Sequence, residues 1–140
     1  MMLRQAGTTL SIRAARPGLH EFTKNVAEFV AGCGIGEGLL TLFCRHTSAS
    51  LLIQENAAPA ARRDLERYFE RMAPEDGPYE HDEEGPDDMP AHLRTALTTS
   101  HLSIPVRGGK LALGTWQGIF LFEHRRNTPA RQVVLHLVGE

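Results

Sequence analysis

The chain reads as an α+β fold on a mainly antiparallel sheet framework, and three observations predict this class. Short strand-like runs recur along the chain, joined by Gly and Pro turns rather than by long crossovers. Helical periodicity is confined to three segments. No G-x-G-x-x-G or G-x-x-x-x-G-K loop is present, which argues against a doubly wound nucleotide-binding sheet. A chain of 140 residues is the size of one domain, residues 1–140. At that length it buries roughly 70% of its unfolded surface and needs no staples.

The elements follow in order. Thr8 to Arg13 alternates apolar and polar residues, the pattern of a half-buried strand. Pro17 and Gly18 turn the chain. Phe22, Val26, Phe29 and Val30 lie at helical spacing, so Glu21 to Ala31 is predicted as a helix ended by Gly32 and Gly34. Leu39 to Arg45 is a dense apolar run, a buried strand, and Ser50 to Glu55 is the next. The gap at His46–Ala49 reads as a loop or as a bend within one ribbon. Asn56 is placed as a helix N-cap, with Pro59 in the first turn. That helix runs to about Met72, with Ala61, Leu65, Tyr68, Phe69 and Met72 on its buried face, and Pro74 stops it.

Pro90 opens a shorter helix to about Thr98, with Leu93 and Leu97 inward. His101–Val106 is a strand. Gly108-Gly109 is a tight hairpin turn. Lys110–Leu113 pairs back, Gln117–His124 continues, and Gln132–Val138 closes the chain. The count is six to eight strands and three helices. The last two strands are apolar on both faces, and covering them takes either a sandwich or a neighbouring subunit.

Composition narrows the function. Cys33 and Cys44 sit in apolar stretches with no C-x-x-C spacing, the pattern of packed thiols in a reducing cytoplasm. No run approaches the ~20 apolar residues of a membrane span. The formal net charge of -2 hides an uneven distribution. Glu75, Asp76, Glu80, Asp82, Glu83, Glu84, Asp87 and Asp88 fall in one stretch without Lys or Arg. That stretch reads as a solvated loop, or as the border of a site for a metal or cation. The basic excess elsewhere is not clustered with aromatics, which excludes a nucleic-acid surface.

Candidate chemistry gathers at strand ends. His46 follows an apolar strand and precedes Thr47, Ser48 and Ser50. Its imidazole can serve as base, acid or metal ligand, and the hydroxyls beside it can hold phosphate oxygens; a histidine that merely ends a strand is the plain alternative. His81 lies in the acidic loop and His92 on the helix opened by Pro90. With His46 they form a set of three imidazoles that suits Zn²⁺, although their spacing matches no metal motif. Trp116 is the only tryptophan. It stands between Thr115 and Gln117 with Gly114 and Gly118 outside them, a flat apolar face beside hydrogen-bonding groups. Glu123 and Arg125 end the strand that follows. Glu123 can orient a histidine or bind a cation, and Arg125 can clamp a phosphate; a surface ion pair is the alternative.

Five blocks together are similar to one family. They are Leu111–Ile119 (LALGTWQGI), Glu123-His124-Arg125, His46–Ser50 (HTSAS), Glu55-Asn56-Ala57 and Met89-Pro90-Ala91-His92. In order and spacing they resemble the YjbQ-like family of small proteins, often described as secondary thiamine-phosphate synthases. The resemblance spans essentially the whole chain. It implies a β-sandwich with helices, assembled as a homotrimer through its sheets. It implies an enzyme that joins a pyrimidine diphosphate to a thiazole phosphate and releases pyrophosphate, with Mg²⁺ beside the leaving group. His46 and Glu123 would then be catalytic. Thr47, Ser48, Asn56, Trp116, Gln117 and Arg125 would bind a small phosphorylated metabolite, with His46 and Trp116 at the rim of one hollow. One departure stands out: Asp88 occupies a position where the family pattern has Asn. An ionised Asp cannot donate a hydrogen bond, so the exact substrate is in doubt, and metal binding is one replacement for the lost donor.

Two other readings stay open. One is a metal-dependent hydrolase built on His46, His81 and His92. The other is a non-catalytic trimeric protein that binds a phosphorylated metabolite, supported by the lack of any strong catalytic motif.

Overall fold

A computed structural model describes residues 2–140. Eight strands and three helices follow one another as β1 (Arg4–Ile12), β2 (Gly18–Glu21), α1 (Thr23–Cys33), β3 (Gly38–Cys44), β4 (Ala49–Glu55), α2 (Pro59–Met72), α3 (Asp88–Leu97), β5 (His101–Arg107), β6 (Lys110–Leu111), β7 (Gln117–Glu123) and β8 (Arg131–Gly139). A five-stranded sheet has the order β1-β8-β3-β5-β6, and a three-stranded sheet the order β2-β7-β4. Every pairing between them is antiparallel. The α+β class and the two-sheet framework are therefore present.

The period-2 pattern of the sequence explains the packing. On β8, Val133, Leu135 and Leu137 face inward, while His136 and Val138 face outward. The inward residues join Leu40, Leu42, Ile104, Ile119 and Leu121 in a core between the sheets, closed at one side by Val26 and Val30 of α1. β7 is central in its sheet and buried on both faces. Its second face, through Phe120 and Phe122, packs with Leu19 against Leu65 and Phe69 of α2. This second cluster covers one of the two doubly apolar strands without a neighbouring subunit.

The corrections are local. β2 stands where only a turn was expected; it is four residues long and lies at the edge of the small sheet. Tyr68 and Met72 of α2 are about half exposed, because only the Leu65–Phe69 side of the helix meets the sheet. Leu97 of α3 likewise faces outward. Asn56 does not cap α2. The Glu55 carboxylate accepts from the amides of Ala57 and Ala58 at 2.9 and 2.7 Å, and Asn56 Nδ2 donates to Glu21. Gly108 and Gly109 both adopt positive φ, 56° and 73°, the backbone that a two-residue hairpin turn needs. The gap expected at His46–Ala49 is not a bend within one ribbon: β4 already begins at Ala49, and β3 and β4 belong to different sheets. The gap carries the chain from the large sheet to the small one, and this crossing positions the first of the polar clusters below.

Candidate functional site

Where the chain crosses between sheets, the end of β7 meets the start of β8. Glu123 and Arg131 are both almost fully buried there. Arg131 Nε donates to Glu123 Oε1 at 2.7 Å, and its Nη2 donates to Oε2. The backbone amides of His124 and Arg125 also donate to Oε2. Arg131 Nη2 reaches the Ser48 carbonyl at 3.1 Å, so the pair ties the crossing segment to both sheets. Each charge is matched and each carboxylate oxygen has a donor, the arrangement that makes a buried pair tolerable.

His46 lies beside this pair but does not use it as expected. The amide of Gln132 donates to His46 Nε2 at 2.8 Å. A neutral ring therefore carries its proton on Nδ1, which faces Arg131 Nη1 at 3.4 Å. Burial, and then the Arg131 charge, hold its pKa below the usual histidine value. Arg131, not Glu123, is thus the side chain against His46, and the basic nitrogen is engaged by backbone. His46 lines a depression of about 480 Å³ with Phe43, Thr47, Thr95 and Ser100. Ser48 contributes its carbonyl to Arg131 and to the His124 amide.

Trp116 is elsewhere. It precedes β7, whose first residue, Gln117, pairs with Glu55, while Glu123 at the other end pairs with Ala49. The length of β7, ~20 Å at strand rise, separates the indole from the crossing segment. Trp116 is 63% exposed, and the His46 depression does not include it. The shared hollow is therefore absent within one chain. Gln117 turns its Oε1 back to accept from the Gly114 amide. Gly118 is required by close approach: a Cβ there would meet Glu21 Oε2 at 2.6 Å and Asn56 Cβ at 2.9 Å.

The acidic loop and α3 build a different cluster. His81 Nε2 is 2.9 Å from Asp88 Oδ2 and 3.2 Å from Glu84 Oε2, and His92 Nε2 is 3.3 Å from the same Asp88 oxygen. One ligand atom from each of His81, Glu84, Asp88 and His92 lies within 4.8 Å of all the others. The cluster forms because Asp88 and His92 are one turn apart on α3, while the loop folds His81 back over them. His81 and His92 therefore converge as the sequence suggested, but His46 does not join them. Asp88, the departure noted above, is the carboxylate at the centre. Arg125 Nη1 donates to Asp88 Oδ1 at 2.6 Å, its Nε to Asp87 at 3.2 Å, and its Nη2 to the Glu84 carbonyl. Arg125 is thus engaged by protein acceptors around the cluster. The Asp88 bond raises the pKa of His81. For Asp88, burial opposes ionisation, but the bond from His81 and the charges of His92 and Arg125 outweigh it and keep the carboxyl low.

A third cluster was not foreseen. His124 is buried, and its Nε2 lies 3.0 Å from Ser50 Oγ. Ser50 Oγ is 2.6 Å from Thr98 Oγ1, which is itself 2.8 Å from the Arg94 carbonyl. Thr98 Oγ1 donates to Ser50 Oγ and lies within reach of the Arg94 carbonyl, and Ser50 Oγ shares a hydrogen bond with His124 Nε2. His124 Nδ1 is buried without a partner. Burial, followed by the charges of Arg94 and Arg131, lowers the His124 pKa to about 3. The only sequence signal for it was the EHR block.

These polar clusters sit on a recognisable scaffold. Residues 8–140 match the family model described as UPF0047 protein YjbQ-like. The chain belongs to the YjbQ/UPF0047 family. It is 49% identical to UPF0047 protein sll1880 of Synechocystis over 138 residues, covering 98% of this chain and 94% of that protein. It is 43% identical to UPF0047 protein YjbQ of Escherichia coli O157:H7, covering 94% and 96%. Among solved structures, a YbjQ-like protein of unknown function from Sulfolobus solfataricus P2 superposes with a TM-score of 0.92 at 24% identity, covering 99% of this chain and all of that one. A YjbQ/UPF0047 protein from Clostridium acetobutylicum gives 0.81 at 31% identity, covering 94% and 98%. The resemblance drawn from the five blocks is thus the family itself. No helix of the described residues is long and apolar enough to cross a membrane.

Proposed function

We propose that this YjbQ-family protein is a metal-dependent enzyme acting on a small phosphorylated molecule, with one divalent ion held by His81, Glu84, Asp88 and His92. The observation that carries the reading is the approach of two imidazoles and two carboxylates to within 4.8 Å of one another. The donor chemistry selects the ion. Two nitrogen ligands suit Zn²⁺ or a similar transition metal, whereas Mg²⁺ takes oxygen ligands and keeps its waters. When bound, such an ion supplies a Lewis acid and lowers the pKa of a coordinated water.

The chain's own residues do the positioning. Arg125 holds Asp88 Oδ1, leaving Oδ2 toward both histidines, and its bonds to Asp87 and to the Glu84 carbonyl tie the loop to α3. Support of this kind around the ligands sharpens metal affinity. This set favours metal-assisted hydrolysis over thiamine-phosphate synthesis. The synthase reading rests on the family resemblance, and its expected phosphate clamp, Arg125, is already bonded to protein groups. A homotrimer is part of the proposal: Leu39 pairs with Val138 on the exposed outer face of the large sheet, and Phe43 lies further along that face beyond Thr41 and His136, apolar groups that a second copy would cover. A cytoplasmic location fits the two free cysteines.

The test is an assay of phosphate and pyrophosphate release from a panel of small phosphate esters and diphosphates. Protein stripped with EDTA is compared with protein reloaded with Zn²⁺ or Mg²⁺. The reading predicts turnover restored by Zn²⁺ and lost in a His81→Ala, His92→Ala double variant. Turnover that survives in that variant would contradict it. Ligand binding with no turnover under any metal would leave the non-catalytic binding protein as the correct reading.

A further inference from the structure

The loop between α2 and α3 carries two of the four clustered ligands, His81 and Glu84. From Glu75 to Asp88 it holds eight acids and no Lys or Arg. Like charges at that density push a chain apart, so groups outside the loop have to gather it. Two adjacent residues after β7 do so. Arg125 holds the late arm, through Asp87, Asp88 and the Glu84 carbonyl. Arg126 reaches both arms. Its amide donates to Asp87 Oδ2 at 2.9 Å, and its guanidinium pairs with Glu75.

The early arm is folded on itself beside that pair. Tyr79 Oη donates to the Pro74 carbonyl at 2.6 Å, and the Tyr79 amide donates to the Gly77 carbonyl at 3.0 Å. Between the arms lies a cleft of about 330 Å³, lined by Glu75, Tyr79 and His81 from the early arm and by Gly85, Pro86 and Met89 from the late arm and α3. Apart from the bonds of His81 itself, two polar links tie the early arm to the body of the protein among the described residues. One is the bond from Arg94 to the Ala73 carbonyl, at the root of the loop. The other is the Glu75–Arg126 pair. We infer that Arg126 is a positioning residue for the proposed metal site. By pairing with Glu75 it draws the early arm toward α3 and holds His81 within reach of Asp88 and His92. Its purpose depends on the metal reading, but the clasp itself does not.

The test pairs hydrogen exchange of the EDTA-treated protein with calorimetric titration by Zn²⁺. The native chain is compared with Arg126→Gln, Arg126→Lys and the double variant Glu75→Gln, Arg126→Gln. The two side chains are 58% and 38% exposed, so the pair is screened and its effect is modest. Arg126→Gln is expected to speed exchange of the amides from 76 to 86 and to weaken Zn²⁺ binding, each about threefold. Removal of a nearby cation would by charge alone tighten the binding of a dication, so weakening reports position rather than field. Arg126→Lys keeps the pair and stays close to native. The double variant loses no more than Arg126→Gln, because the partners act as one unit. In about 1 M NaCl, where the Debye length is about 3 Å, loop exchange in the native chain approaches that of Arg126→Gln. Loop exchange unchanged in Arg126→Gln, unchanged or tighter Zn²⁺ binding in that variant, or a double variant that loses markedly more overturns the inference. A native chain that binds no Zn²⁺ fails the metal reading alone, and loop exchange then decides whether Arg126 clasps the loop.

Discussion

The Glu123–Arg131 cluster and the His81–Glu84–Asp88–His92 cluster are both knots of charge, yet they are built in opposite ways. In the first, the carboxylate is buried and receives a side-chain or amide donor at each oxygen. Nothing is left over for a ligand. In the second, His81 and Glu84 are largely exposed, and two imidazoles crowd a single oxygen of Asp88. In the chain without metal His81 bonds to Asp88, and a cation would replace the proton between them, drawing on the same nitrogens and oxygens. Proximity of charged residues is therefore not what marks a site. The mark is whether the groups are buried and saturated with donors, or lie near solvent and share only protons that a cation can replace.

The largest expected effect comes from breaking the closed cluster. Arg131→Leu leaves Glu123 buried with no counter-charge, and a loss of about 3–5 kcal/mol is expected in urea unfolding. Removing both charges, with Glu123→Leu added, should recover much of that loss, since the apolar pair leaves no orphaned ion. A double variant as unstable as the single would mean that the pair's backbone bonds, not its charges, hold the crossing segment.

Next in size is a pH effect from His124, the histidine that adjoins the closed cluster. Its folded pKa is about 3, against an unfolded value near 6.5. Between those limits the unfolded chain binds the extra proton. Stability is thus fully present above pH 6.5 and falls as the pH drops toward 3, by up to about 1.4 kcal/mol per unit. His46, lowered by burial and Arg131, adds to the slope in the same direction at the upper end of this window. Urea midpoints measured from pH 7 down to 5 check this, and His124→Asn should flatten the slope. A slope unchanged in that variant would mean that other groups set the acid sensitivity.

The smallest effect should come from the open cluster. In metal-free protein, His81→Ala is expected to change stability by less than about 0.5 kcal/mol, because the side chain is nearly half exposed and supports no core contact. A large loss would place His81 among the structural groups and erase the contrast between the clusters.

Much of the fold was legible because periodicity is a local signal. The alternation on β8, the Phe22–Val30 spacing of α1 and the glycine pair at 108–109 each name their element. β2 was not legible. Its four residues follow Pro17-Gly18, and only pairing with β7 makes them a strand. The inward faces of α2 and α3 were overdrawn because helical spacing states which residues share a face, not how wide a contact the sheet offers. The site was legible in part. His81 and His92 were visible as candidates, and the Asp88–His92 spacing of one helical turn was the overlooked signal. Grouping His46 with them failed because the crossing segment carries it to the Arg131 side. The Glu123–Arg131 pair had no local signature, since the two residues meet only where β7 and β8 of different sheets come together. The separation of Trp116 from His46 was hidden for the same reason.

The contrast between the clusters turns on whether the open one takes a metal. Calorimetric titration of EDTA-treated protein with Zn²⁺, alongside metal analysis of the dialysed product, measures this directly. One Zn²⁺ per chain is expected, with affinity at least about tenfold weaker in Asp88→Asn and binding abolished in the His81→Ala, His92→Ala double variant. No saturable binding in the native chain, or binding that both variants retain, would contradict the account.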